Sequence, residues 1–131
     1  MMNKVQIHIE SDNQIFPIGI DLEDSWILGW SFKNDELQIE MEFSIWPDSP
    51  YYEEPRNDEY TCYKNGKVTF HNIKSIKGFT ELEKTKPTIN PDGSKDWGCI
   101  YGLTKSENGV TFSTENEEVE IETTGLSIKI N

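Results

Sequence analysis

The stretch Glu36–Ile45, ELQIEMEFSI, has an apolar residue at every odd position and a polar one at every even position. A period of two matches an extended strand, whose successive side chains point to opposite faces. Leu37, Ile39, Met41, Phe43 and Ile45 then share one face, whereas a helix would scatter them around its circumference. Burying that row contributes roughly 8–15 kcal/mol gross, before the entropy of ordering the chain is subtracted. The opposite face carries Glu36, Glu40 and Glu42, an acidic row for water or a partner.

The flanking segments repeat the rhythm. Lys4–Glu10 alternates with Val5, Ile7 and Ile9 expected inward, and Ser11-Asp12-Asn13 is a turn cluster. Gln14–Ile20 is apolar but contains Pro17, which limits it to an edge strand. Asp21–Asp24 reads as an acidic loop or a single helical turn. Ser25–Phe32 alternates on even positions, so Trp26, Leu28, Trp30 and Phe32 are expected on one face, with Trp26 or Trp30 near the core rim. Lys33-Asn34-Asp35 then turns the chain into Glu36–Ile45 as an antiparallel hairpin.

Further along, Tyr60–Lys64 and Lys67–Phe70 flank Asn65-Gly66, the sequence signature of a type I′ turn, and predict a second hairpin. Ile73–Lys86 is compatible with a short helix or another strand, and Pro87–Asp96 is a loop of turn formers. Trp97–Leu103, Gly109–Thr114, Glu118–Thr123 and Leu126–Ile130 read as a closing antiparallel meander. About eight or nine strands with little helix predict a mainly β, single-domain chain over residues 1–131, an antiparallel β-sandwich or open β-barrel.

At 131 residues the chain is long enough to bury a core without disulfides or metal. Its 34% hydrophobic content is low, but four Trp, five Tyr and six Phe compensate, since each aromatic ring buries a large area. The net charge is −12 and is uneven: residues 1–62 hold 14 acids and 3 bases, residues 63–106 hold 4 and 8, and residues 107–131 hold 6 and 1. Charge of this sign repels nucleic acid and anionic membranes. The segments either lie together and partly neutralise one another or leave an acidic surface, built mainly from the first half, for a cationic partner. No apolar core of about 7–15 residues follows Lys4 and no apolar run reaches about 18 residues, so neither a secretory signal nor a membrane span is expected. Cys62 and Cys99 make no disulfide framework, and a cytoplasmic setting with reduced thiols is the expectation.

The chain carries no catalytic sequence pattern of a familiar kind. There is no Gly-x-Ser-x-Gly elbow. Gly66-Lys67 fails as a phosphate loop because position 61 is Thr61 and Val68 follows the lysine. His8, His71, Cys62 and Cys99 lack short ligand spacing. Asp92-Gly93-Ser94-Lys95-Asp96 alternates oxygen donors, but a calcium loop would need glycine at Trp97 and glutamate at Leu103. No cofactor, metal or catalytic residue is assigned.

The longest irregular stretch, residues 46–59, breaks the β rhythm with Pro47, Pro50 and Pro55. Trp46, Tyr51, Tyr52 and the adjacent Tyr60 supply flat rings, and Asp48, Glu53, Glu54, Asp58 and Glu59 supply carboxylates. With Glu40 and Glu42 these form the candidate binding surface, since rigid rings anchor a partner at little entropy cost. The alternative is that Tyr51 or Tyr52 folds back to cap the open end of the core and the prolines stiffen a crossover.

The run Trp46-Pro47, Pro50-Tyr51-Tyr52, Pro55, Tyr60-x-Cys62-Tyr63-x-x-Gly66-x-x-x-Phe70, followed by Asp96-Trp97-Gly98, resembles a family of small bacterial β-rich domains without assigned chemistry. In size and charge the chain is also similar to immunity proteins, which neutralise secreted toxins. The resulting expectation is a non-enzymatic binding domain whose acidic surface meets a basic protein such as a toxin. The alternative is a small-ligand-binding or hydrolytic β-barrel, with residues 46–59 as lid and Trp97 or Tyr101 lining a cavity.

Overall fold

The five odd-numbered side chains of Glu36–Ile45 form a deeply buried row at the centre of the described core. In the computed structural model Leu37 is 2% exposed and Ile39, Met41, Phe43 and Ile45 are fully buried. The structure describes residues 4–80, 84–115 and 117–131, and all elements below lie among them. Twelve strands are present: β1 Ile7–Ile9, β2 Ile15–Pro17, β3 Ile20–Lys33, β4 Glu36–Ile45, β5 Cys62–His71, β6 Ser75–Lys77, β7 Thr88–Ile89, β8 Lys95–Asp96, β9 Tyr101–Ser106, β10 Gly109–Ser113, β11 Glu118–Glu122 and β12 Gly125–Ile130.

Two antiparallel four-stranded sheets, ordered β12-β5-β4-β3 and β6-β11-β10-β9, share one apolar core. Phe70 on β5 stacks against Phe112 on β10 with ring centroids 5.7 Å apart, which ties the sheets face to face. The β1–β2 ribbon spans one side. Val5 donates to the Ile128 carbonyl at 2.8 Å at the β12 edge, and Lys105 donates to the Asn13 carbonyl at 2.7 Å at the β9 edge. On the other side Ile27 of β3 exchanges hydrogen bonds with Trp97 and Gly98, just before β9. The result is a mainly β fold, and among the described residues the sheets do not close into a barrel.

The β3–β4 hairpin forms as expected, and Asn34 and Asp35 at its two-residue turn both have positive φ, 53° and 61°. The predicted Asn65-Gly66 hairpin does not form. Both residues lie inside β5, between β4 and β12, with Gly66 opposite Met41 on one side and Ile130 on the other. The glycine is there for space: a Cβ would collide with the Lys129 carbonyl oxygen and lie 2.8 Å from Phe43 Cε2.

Four further expectations are corrected. The last predicted meander strand crosses to the other sheet, where β12 pairs with β5. Ile9 is 45% exposed because the β1–β2 ribbon runs past the core, although Val5 is buried. Residues 88–96, expected as loop, contain the short β7–β8 hairpin, while Trp97–Ile100 precede β9 instead of opening it. Trp26, Leu28, Trp30 and Phe32 do not share a face, because a bulge at Leu28 between the Ile27–Met41 and Gly29–Glu40 pairs reverses the alternation. Ile27 and Trp30 therefore face the core while Trp26 faces out. Trp30 does sit at the rim, donating its indole N–H to the Thr80 carbonyl at 3.2 Å. Of the ambiguous segment 73–86, Ser75–Lys77 form β6 and residues 81–83 lie outside the described residues.

Candidate functional site

Strand β3 is the edge of its sheet, and its first bulge builds the site. Asp21 pairs with Ser44 and Trp26 with Glu42, so Leu22–Ser25 oppose Phe43 alone. Ser25, fully buried, replaces the interrupted ladder: its hydroxyl donates to the Asp21 carbonyl at 2.6 Å and accepts from the Ser44 N–H at 3.0 Å. The surplus backbone is pushed outward with Glu23 and Asp24 on it. The sequence reading of Asp21–Asp24 as a loop or helical turn is thus replaced by a bulged strand, the device that re-aims side chains at sheet edges.

Asp24 is met there by the end of the β4–β5 connection. Tyr60 donates its phenol O–H to the Asp24 carboxylate, 2.6 Å from each oxygen, and Tyr63 donates to Oδ2 at 3.2 Å. The two rings stand edge to face at 5.9 Å. The hydrogen bond to the Asp24 anion holds the Tyr60 phenol above its ordinary pKa. Burial raises Tyr63, with Tyr60 and Asp24 adding to it. Tyr60 is 76% exposed, a ring fixed at its tip by Asp24 and otherwise mostly open to solvent.

Beside this triad Glu42 lies on the outer face of the sheet, half-buried in the same row as Trp26 and Asn65. Desolvation raises its carboxyl pKa, the Glu59 charge adds to it, and Arg56 opposes. Arg56 itself is engaged with Glu59 at 3.1 Å. Burial likewise pushes up the Cys99 thiol, and Glu115 and Glu23 raise it further, so the acidic field continues past the bulge.

Of the sequence-assigned residues, Glu42, Glu59 and Tyr60 converge on this site. Trp46 stands on another side of the bulge, in a cleft with Phe16. Tyr51 and Tyr52 instead fold back against the core, Tyr51 donating to the Lys4 carbonyl at 3.2 Å, as the crossover alternative supposed. Glu53 pairs with Lys64 at 3.1 Å. Asp48, Glu54 and Asp58 are exposed. Glu40 is exposed opposite Lys67, which partly neutralises the acidic row of β4, and Glu36 accepts a hydrogen bond from His71 Nδ1 at 3.0 Å. Asp21, Glu23, Asp24, Tyr63 and Phe16 were not assigned from sequence. An acidic run directly before an alternating edge strand was the available signal for the first three.

No protein-family model, curated protein or solved structure matches this chain.

Elsewhere, Trp30, Phe79 and Trp97 cluster around an open cleft of about 280 Å³ whose described lining includes no residue of 46–59. The Trp97 indole N–H is engaged by the Thr85 hydroxyl at 2.7 Å. In the Asp92–Asp96 stretch, Asp92 accepts from the Ser94 N–H and hydroxyl at 2.9 and 2.6 Å, which closes a turn and lowers its carboxyl pKa. Among the described residues no three His, Cys, Asp or Glu side chains gather as metal ligands, and no helix is long and apolar enough to cross a membrane.

Proposed function

We propose that this protein is a non-enzymatic binding domain whose acidic, aromatic surface around the β3 bulge receives a basic protein partner. The observation that carries it is the Asp24–Tyr60 pair: an exposed ring locked by a carboxylate, within the charge of Asp21. A lysine or arginine of the partner gains both a ring face and nearby anions, while the pre-fixed rotamer lowers the entropy cost of contact. The net charge of −12 steers a cationic partner toward the surface before contact. A basic secreted toxin has the required chemistry, which extends the likeness to immunity proteins. The unbridged, buried Cys62 and Cys99 support a reducing, cytoplasmic setting.

The test is capture of the partner from source cells, followed by association kinetics at about 50 and 500 mM salt, which shortens the screening length several-fold. Association slows by about tenfold or more at high salt, and Tyr60→Ala or Asp24→Asn shortens the lifetime of the complex. Equal association rates at the two salts, or full binding by both variants, would refute the proposal.

A further inference from the structure

A second feature borders the same bulge. Gly19, at φ 76°, turns the chain from β2 into β3 close against the β4–β5 connection, where a Cβ would lie 2.5 Å from Ser49 Cβ. Its carbonyl accepts from the Trp46 N–H at 2.8 Å. This approach brings Trp46, 49% exposed, alongside Phe16, 44% exposed, as two walls of an open cleft of about 320 Å³. Buried Ile100 and Leu103 form its floor, and Asp21 and Glu23 stand on its rim. Neither rim carboxylate forms an ion pair among the described residues, although Asp21 Oδ1 accepts the Glu23 N–H at 3.1 Å.

We infer that this cleft seats one bulky apolar side chain of a basic partner segment, flanked by lysine or arginine residues that meet Asp21 and Glu23. The inference rests on the binding reading above and names the anchor that reading lacks. The volume lies at the bottom of the range of about 300–1,000 Å³ for small-molecule pockets, which suits a single side chain. Half-exposed Trp and Phe over an apolar floor are the composition of an interface hot spot, and unpaired carboxylates on the rim select cationic neighbours. An acidic or uncharged segment would leave that rim uncompensated.

Three short fluorescent peptides test it: a Lys/Arg-rich peptide with a central Trp, the same peptide with a central Ala, and the Trp peptide with its basic residues changed to Glu. The first binds, and the other two bind at least about tenfold more weakly. Trp46→Ala and Phe16→Ala weaken the first peptide by a similar factor, and Trp46→Phe restores most of it. Equal binding of the Trp and Ala peptides, no binding of the first peptide, or unchanged affinity of Trp46→Ala overturns the inference. Where Tyr60→Ala weakens the basic peptide and Trp46→Ala does not, the cleft fails and the acidic surface stands. The reverse result keeps the cleft and removes Tyr60 from the proposed function.

Discussion

The Tyr60 phenol reaches the Asp24 carboxylate at 2.6 Å across 36 positions of sequence, joining the end of an irregular connection to the crest of a strand bulge. The bond holds the phenol above its ordinary pKa, so Asp24→Asn is expected to make Tyr60 titrate at a lower pH, read from the Cζ shifts of labelled tyrosine. The raised folded-state pKa means that the stabilisation is complete below the unfolded value of about 10 and is lost as pH climbs above it. Unfolding curves should therefore show a steeper alkaline loss for the wild type than for Asp24→Asn. An unchanged Tyr60 titration in the variant would mean that the bond does not persist in solution.

Ser25 holds the bulge by replacing a ladder bond. In Ser25→Ala the buried Ser44 N–H loses its acceptor, which costs about 1–3 kcal/mol in denaturant unfolding. The displaced crest should also lower the Tyr60 pKa toward that of Asp24→Asn. Stability within about 0.5 kcal/mol of wild type would contradict this role.

Glu42 sits half-buried, and desolvation, with the Glu59 charge adding to it, holds its carboxyl above the usual carboxylate range. Its raised pKa means that the folded state holds this proton more tightly than the unfolded one, so ionisation costs stability as pH rises through the folded value. Glu42→Gln is expected to raise Tm at pH 7, with the advantage shrinking as pH falls toward the unfolded carboxyl value of about 4.3. A Tm unchanged at pH 7, or an advantage that grows in acid, would rule out the desolvation account.

Gly66→Ala introduces a methyl group between β5, the Lys129 backbone and the Phe43 ring. The expected loss is about 3 kcal/mol, the upper end for overpacking, because the Lys129 carbonyl belongs to the paired backbone of β12 and cannot yield. Urea unfolding measures it, and a loss below about 1 kcal/mol would mean that β12 shifts freely.

The β4 row, the β3–β4 hairpin, the edge position of Pro17 and the mainly β class were legible in the sequence. Each follows from local alternation or from a residue's own backbone limits. Asn65-Gly66 misled because the dipeptide signals a turn only when its flanks pair with each other, whereas here both flanks pair continuously with β4. Trp26–Phe32 misled because a single bulged residue reverses a period of two, and nothing in the alternation marks where that occurs. Glu42, Glu59 and Tyr60 were recognisable as an acidic and aromatic set. Their true neighbours Asp24 and Tyr63 come from a bulge and a strand that the connection only later overlies.

The sequence by itself determined the β character, the central buried row and the excess of negative charge, since periodicity and composition act on every residue regardless of its distant contacts. Tertiary structure alone decided which strands became neighbours, that Gly66 spaces two strands instead of turning the chain, and that the acids of Asp21–Asp24 meet the rings of Trp46 and Tyr60. Those outcomes depend on close approach between segments far apart in the chain, where the volume of one side chain or one inserted residue decides the result.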